Sequence, residues 1–150
     1  MRKILALAAL VAVAACANSA PDAGPQETKS LAAPTPEGVS LKITAADNGQ
    51  NVTAKVGTLI AVELIGVPTA GYMWTPSQMP AFLEAAGEYG GPTSSAQLEP
   101  GFAGGNHWEA FLFKVKEAGE GEFRFAQRRP WEDDSEPPVD EFSVYLFAEE

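Results

Sequence analysis

The sequence predicts an all-β fold, and two observations carry this prediction. The chain contains 14 glycines and 12 prolines among 150 residues, a share that interrupts long helices and favours turns and short strands. From Val39 onward, apolar and polar residues alternate in short runs, which is the period-two pattern of half-buried strands. A hydrophobic content of 45% is enough for one packed core, and 150 residues leave little room for a second domain.

The alternating runs are separated by turn signals, such as Asp47-Asn48-Gly49, at the spacing found in β-sandwiches. The predicted strands comprise residues 39–43, 51–56, 58–64, 72–74, 108–115, 121–126 and 142–147. Together they predict an immunoglobulin-like antiparallel β-sandwich of about seven strands. The segment Met79–Ala86 is left open between one or two turns of helix and a short edge strand, because Pro80 and Gly87 limit the length of a helix there.

Charge and composition exclude several classes of function. Ten Lys and Arg against 20 Asp and Glu give a formal net charge of -10, whose field repels phosphate, so we expect no nucleic-acid partner. One Cys and one His cannot form an internal disulfide, a multi-cysteine zinc site or an iron–sulfur cluster, so we expect no metal and no cofactor. No nucleophile-elbow sequence accompanies His107, so we expect no catalytic residues and no enzyme activity.

The N-terminus has the pattern of an export signal. Arg2-Lys3 precedes the apolar run Ile4–Ala15, which is too short to span a bilayer. The run ends in Val13-Ala14-Ala15-Cys16, which resembles the lipobox of bacterial lipoproteins, in which the Cys thiol receives a diacylglycerol. We therefore expect residues 1–15 to be a lipoprotein signal peptide and Cys16 to be the acylated first residue of the mature protein.

The segment that follows is expected to be a spacer. Up to residue 38 it is rich in Ala, Pro, Ser, Thr and Gly without apolar periodicity, so residues 16–38 are interpreted as the acylated Cys and a flexible tether, and residues 39–150 as the folded domain. Ala17 is not the Asp that is associated with retention in the inner membrane. We expect a lipid-anchored protein of the bacterial cell envelope, on the outer membrane and facing the periplasm, that contacts the membrane through its lipid only.

Three connections between predicted strands combine Gly or Pro with an aromatic residue, which an ordinary turn does not require. They are Val67-Pro68-Thr69-Ala70-Gly71-Tyr72, Gly101-Phe102-Ala103-Gly104-Gly105 and Arg129-Pro130-Trp131. In this order they resemble the three signature loops of the chagasin-like inhibitors of papain-type cysteine peptidases: Asn-Pro-Thr-Thr-Gly-Tyr, Gly-x-Gly-Gly and Arg-Pro-Trp. The sequence departs from these motifs at Val67, Ala70 and Phe102, which replace Asn, Thr and Gly. The resemblance extends from about Val39 to the C-terminus.

The resemblance implies that the three loops lie side by side at one end of the sandwich and block a papain-type peptidase reversibly, as a three-part wedge in its active-site cleft. The candidate peptidase-binding residues are then Pro68, Thr69, Ala70, Gly71, Tyr72, Phe102, Ala103, Gly104, Gly105, Arg129, Pro130 and Trp131. The residue types suit this role, because proline lowers the entropy lost on binding and glycine lets the backbone approach a narrow groove. Trp131 offers a large flat anchor, which we expect to be exposed in the free protein.

The alternative function is a non-inhibitory immunoglobulin-like binding module of a cell-envelope lipoprotein, because one sandwich fold serves many partners. In either role we expect a monomer. Trp74 and Trp108 lie inside alternating runs, so they are expected in the core or on a cleft wall rather than among the contacts. For Tyr72, where loop meets strand, packing and contact are both open.

The lipid anchor can be tested at its attachment point. Because Cys16 is the only thiol in the chain, Cys16→Ser should abolish acylation and leave unprocessed or soluble protein. Fractionation of cells and mass spectrometry of the mature N-terminus measure this. Recovery of the wild-type protein wholly in the soluble fraction, without lipid on its N-terminus, would contradict the expected anchor.

Overall fold

The computed structural model describes residues 28–133 and 135–150, which form eight strands in two four-stranded sheets. The strands are β1 (Leu41–Thr44), β2 (Asn51–Lys55), β3 (Leu59–Gly66), β4 (Met73–Gln78), β5 (Leu83–Pro92), β6 (His107–Val115), β7 (Gly119–Arg128) and β8 (Asp140–Glu149). Three short 3-10 helices lie between them, at Ala45–Asp47, Pro68–Ala70 and Ser95–Leu98. The predicted all-β sandwich is confirmed. The expected signal peptide and Cys16 lie outside the described residues.

The first sheet has the order β1-β3-β6-β5 and the second the order β2-β8-β7-β4. Four of the six strand pairs are antiparallel, but β1 runs parallel to β3 and β2 runs parallel to β8. The predicted sandwich is therefore antiparallel except at one outer strand of each sheet. Alternation of apolar residues reports which face of a strand is buried, and it carries no information about the direction of the neighbouring strand.

The segment Met79–Ala86, which the sequence left open, leads into β5 and forms no helix. β5 is additional to the seven predicted strands, and it lies at the edge of the first sheet. Beyond the buried Leu83 its residues are mostly exposed, and its pairing with β6 shifts between Ala85 and Gly87. It therefore lacks the alternation that identified the other strands.

The core lies between the two sheets and is centred on phenylalanine rings. Phe113 of β6 meets Phe123 of β7 edge-on at a centroid distance of 4.8 Å, and Phe111 lies 5.1 Å from Phe125. Each of these rings is buried. Trp74 is 6% exposed and joins the core as expected, with its indole Nε1 donating to the Ile65 carbonyl at 2.9 Å.

Trp108 has a different position from the one expected. It is half-buried and lies on the outer face of the first sheet, because its phase in β6 is opposite to that of the core-facing Phe111 and Phe113. Its indole Nε1 donates to the Leu31 carbonyl at 2.8 Å. The residue therefore packs beneath the chain that precedes β1.

That preceding chain, Lys29–Thr35, is a strap across the outer face of the first sheet. Its Leu31 carbonyl is bonded to Trp108 of β6, and its Thr35 hydroxyl donates to the carboxylate of Glu63 on β3. The sequence placed these residues in a flexible tether. The described part of that segment is instead hydrogen-bonded to the sandwich, because carbonyl and hydroxyl groups can bond to a sheet without any apolar periodicity.

The sheet register brings three connections to one end of the sandwich. Gly66, at the end of β3, pairs with His107 at the start of β6, and Met73 at the start of β4 pairs with Arg128 at the end of β7. The β3–β4 loop (residues 67–72), the β5–β6 loop (residues 93–106) and the β7–β8 loop (residues 129–139) therefore all leave from this end. Each contains one of the three candidate motifs.

Among the described residues, none of the helices has the length and apolarity needed to cross a bilayer.

Candidate functional site

The β3–β4 loop is a tight turn closed by its own backbone. Val67 N donates to the Tyr72 carbonyl at 2.9 Å, and Tyr72 N donates to the Val67 carbonyl at 3.2 Å. Between them, one turn of 3-10 helix begins at Pro68, where a missing N–H leaves no helical bond unmade. Gly71 ends the turn at φ 84°, in the left-handed region that favours glycine. Thr69 and Ala70 are exposed at the tip of this preformed loop.

Arg129 ties the β7–β8 loop to the β3–β4 loop. Its Nε donates to the Ala70 carbonyl at 3.0 Å, and its guanidinium carbon lies 4.3 Å from the centroid of the Tyr72 ring. Its Nη1 also lies 3.2 Å from Oε1 of Glu132. The half-buried Tyr72 therefore packs against Arg129, and the two loops form one surface.

Trp131 lies on that surface with 71% of its area exposed, as expected for the free protein. The tip of its ring rests beside Gly71, since a Cβ added to Gly71 would lie only 2.2 Å from Cη2 of Trp131. Glycine is thus required at position 71, because φ is positive there and the Trp131 ring leaves no space for a Cβ. The neighbouring Pro130 is exposed. Most of the indole remains free for a partner.

The β5–β6 loop is organised by Gln97, which the sequence analysis did not single out. Its Oε1 accepts hydrogen bonds from the backbone N–H groups of Thr93 (2.7 Å) and Ser94 (3.0 Å). Its Nε2 donates to the Asn106 carbonyl at 2.8 Å, so the amide joins the start of the loop to its end. The spacing of Ser94 and Gln97, three residues apart, is that of a capping box, and this was the available sequence signal.

The candidate residues of the β5–β6 loop surround this amide. Gly105, at φ 95°, lies against Gln97, because a Cβ there would be 2.7 Å from Nε2. At Gly104, where φ is 88°, an added Cβ would have no atom of the described residues within 4 Å. Phe102 is 46% exposed and approaches Gly105, and Ala103 is exposed beside it. An aromatic ring thus occupies the position of the first Gly of the motif.

Glu109, also absent from the sequence-based candidates, lies beneath the β3–β4 loop. Its Oε2 accepts a hydrogen bond from Trp74 N at 2.8 Å, just after the loop ends. Its carboxyl fills the space beside Gly66, just before the loop begins, where a Cβ would lie 1.7 Å from Oε1. The sequence signal was a charged residue in phase with the core-facing Phe111 and Phe113.

Burial raises the pKa of the Glu109 carboxyl above its ordinary value. The hydrogen bond from Trp74 opposes this rise, and the negative charge of Glu88 adds to it. Oε1 is buried, and no described group is bonded to it. The burial of this carboxyl therefore disfavours its charged form.

The loop end offers a surface to which a partner can bind. No three His, Cys, Asp or Glu side chains in residues 28–133 and 135–150 are grouped closely enough to hold a metal ion. What the loop end presents is the exposed rings of Trp131 and Phe102 together with turns whose backbone is already fixed.

Glu109→Gln should make folding stability less sensitive to pH. A carboxyl whose pKa is raised on folding stabilises the protein fully only below its unfolded pKa, and that contribution is lost as pH rises through the folded pKa. Gln imitates the protonated form and does not titrate. The free energy of unfolding of Glu109→Gln should therefore equal that of the wild type at about pH 4 or below and exceed it at about pH 8, by about 1.4 kcal/mol for each unit of the pKa rise.

Urea denaturation at both pH values measures this difference. The matched control is Glu120→Gln, at an exposed position on β7, for which we expect a change within about 0.5 kcal/mol throughout. Parallel pH dependences for the wild type and Glu109→Gln would show that burial of this carboxyl has no such effect.

Comparison with known proteins bears on what this end of the sandwich does. The model of the chagasin family peptidase inhibitors I42 matches residues 53–146. Chagasin from Trypanosoma cruzi is 30% identical over 116 residues, an alignment that covers 73% of this chain and 99% of that protein.

Two solved structures share the fold. A cysteine protease inhibitor from Entamoeba histolytica superposes with a TM-score of 0.61 at 16% identity, covering 75% of this chain and 100% of that one. Amebosin superposes with a TM-score of 0.50 at 22% identity, covering 73% and 97%. The extent of the family match, together with the identity to chagasin, shows that the chain belongs to the chagasin family of peptidase inhibitors.

Proposed function

We propose that this protein inhibits papain-type cysteine peptidases by inserting the three loops at one end of its sandwich into the active-site cleft. As a member of an inhibitor family, it is not an enzyme. The observation that carries the proposal is the convergence of three motif-bearing loops, two of them tied together by Arg129. The target class comes from the resemblance of the loop motifs to those of the chagasin-like inhibitors.

The rigidity of the loops supports the proposed mode of binding. The β3–β4 loop is closed by two backbone hydrogen bonds, and the β5–β6 loop is bridged by the Gln97 side chain. A loop that already has its bound conformation loses little entropy when it enters a cleft, so more of the contact energy appears as affinity. No reactive group is needed, since occupancy alone keeps the substrate from the catalytic residues.

Two exposed aromatic rings are suited to be the anchors. Trp131 and Phe102 have 71% and 46% of their surface exposed, and Trp is among the residues that dominate interface energies. In the same loop as Phe102, Gly104 and Gly105 present backbone with no side chain that would hold the cleft at a distance.

We further propose that the inhibitor is carried on the bacterial cell envelope by an acylated Cys16, on the outer membrane and facing the periplasm. The lipobox-like sequence at residues 13–16 supports the anchor, and Ala17, which is not the Asp associated with retention in the inner membrane, supports the outer membrane. The Cys16→Ser fractionation experiment tests it, and its outcome is independent of inhibition.

Trp131→Ala should weaken inhibition of papain by about 2 kcal/mol or more, roughly 30-fold, because it removes the largest exposed anchor of the three loops. The same substitution should change the free energy of unfolding by only about 0.5 kcal/mol or less, since most of the ring contacts solvent. The inhibition constant is measured by titration against active papain, and stability by thermal melts.

The control is Tyr145→Ala, which removes another exposed aromatic ring, from β8 and away from the three loops. It should leave the inhibition constant unchanged. The proposal fails if Trp131→Ala inhibits as well as the wild type, or if the wild type does not inhibit papain-type peptidases at micromolar concentration. In the second case a non-inhibitory binding module is the remaining function.

A further inference from the structure

We propose that the strap, Lys29–Thr35, positions the β5–β6 loop for peptidase binding and so forms a fourth part of the inhibitory apparatus. The inference rests on the proposed function. The strap lies outside residues 53–146, which the family model matches, and outside the three loop motifs.

The strap pairs with the residues that begin the β5–β6 loop. Ser95 N donates to the Lys29 carbonyl at 2.8 Å, and Lys29 N donates to Ser95 Oγ at 2.9 Å. Leu31 N donates to the Thr93 carbonyl at 2.8 Å, with Ser30 and Ser94 facing each other as an antiparallel bridge. These bonds join the strap to the first residues of the β5–β6 loop, just beyond the end of the edge strand β5.

The same few residues hold Gln97 in place. The N–H groups of Thr93 and Ser94 donate to Gln97 Oε1, while the Thr93 carbonyl is bonded to the strap. Gln97 in turn donates to the Asn106 carbonyl and lies against Gly105. A series of hydrogen bonds therefore runs from the strap through Thr93 and Gln97 to Asn106, the residue that follows the glycine pair Gly104-Gly105.

The strap is itself fixed to the sheet. Trp108 Nε1 donates to the Leu31 carbonyl. Pro34 packs on Gly91 of β5, where an added Cβ would lie 3.3 Å from the proline ring. At the other end of the strap, the Thr35 hydroxyl donates to the carboxylate of Glu63. Glu63 is 8% exposed, and its Oε1 lies 2.9 Å from Lys42 Nζ. Both ends of the strap are therefore fixed. If the residues that begin the β5–β6 loop move, they must break either their bonds to the strap or the bonds that join the strap to the sheet.

Leu31→Pro in the full-length protein, purified in detergent, tests the inference. Proline removes the N–H that is bonded to Thr93. We expect inhibition of papain to weaken about fivefold, the equivalent of one hydrogen bond's net contribution, through faster dissociation. Amide hydrogen exchange should accelerate in residues 93–106 and stay unchanged in residues 67–72, a pattern that general destabilisation would not produce.

Thr58→Val is the matched control. It removes one hydrogen bond, from Thr58 Oγ1 to the Lys55 carbonyl, in the turn before β3 at the opposite end of the sandwich. It should destabilise the fold by an amount similar to Leu31→Pro and leave the inhibition constant unchanged. If Leu31→Pro does not fold, Trp108→Phe replaces it, because this change removes the indole N–H that is bonded to Leu31, together with part of the half-buried ring, and leaves the backbone of the strap unaltered.

The outcomes separate this inference from the proposed function. A wild-type protein that does not inhibit papain overturns the proposed function. A wild-type protein that inhibits, with a folded strap variant that inhibits equally well and shows unchanged exchange in residues 93–106, overturns the role of the strap alone. Weaker inhibition with faster exchange confined to that loop supports it.

Discussion

Four phenylalanine rings, two from β6 and two from β7, determine where the loops of this protein emerge. The two strands belong to different sheets, and their rings meet at centroid distances of 4.8 to 5.1 Å in the middle of the sandwich. A close-packed aromatic core resists sliding of one sheet over the other, because each shift opens cavities. The β5–β6 loop precedes β6 and the β7–β8 loop follows β7, so the core fixes the relative positions of these two loops.

Local contacts then complete the surface that the core has positioned. Arg129 joins two loops by a hydrogen bond to Ala70 and by stacking on Tyr72, and Gln97 closes the third. Each contact is worth little on the surface of a protein. Their value lies in the conformation they select, since an inhibitor that acts by occupancy gains affinity when its loops need no reordering.

The sequence predicted the parts of the structure that repeat a local pattern. Alternating residues identified seven strands, and the placement of Trp131 beside Pro130 in a connection predicted its exposure. The sequence left the start of β5 open between a turn of helix and an edge strand, because the exposed edge position of this strand removes the need for alternation. It also did not predict that β1 pairs in parallel with β3 and β2 with β8, because strand direction depends on how the chain crosses between sheets.

The candidate site likewise has parts that the sequence predicted and parts that it did not. The loop motifs and their order were visible in the sequence, whereas Glu109 and the strap act through partners that are distant in the chain. Glu109 bonds to Trp74, 35 residues away, and Leu31 to Trp108, 77 residues away. Such pairings become visible only when the fold brings the residues together. They also concern support of the loops, for which the sequence motifs carry no signal.

The central claim is that the three loops act by filling the active-site cleft of a papain-type peptidase. The most direct test is calorimetric binding to two forms of one peptidase, one with its catalytic Cys replaced by Ala and one whose cleft is filled by a covalently attached peptide-like blocker. The account predicts tight one-to-one binding to the first form, because no reaction with the catalytic Cys is needed, and no binding to the second. Equal binding to both forms would place the contact outside the cleft and would contradict the account.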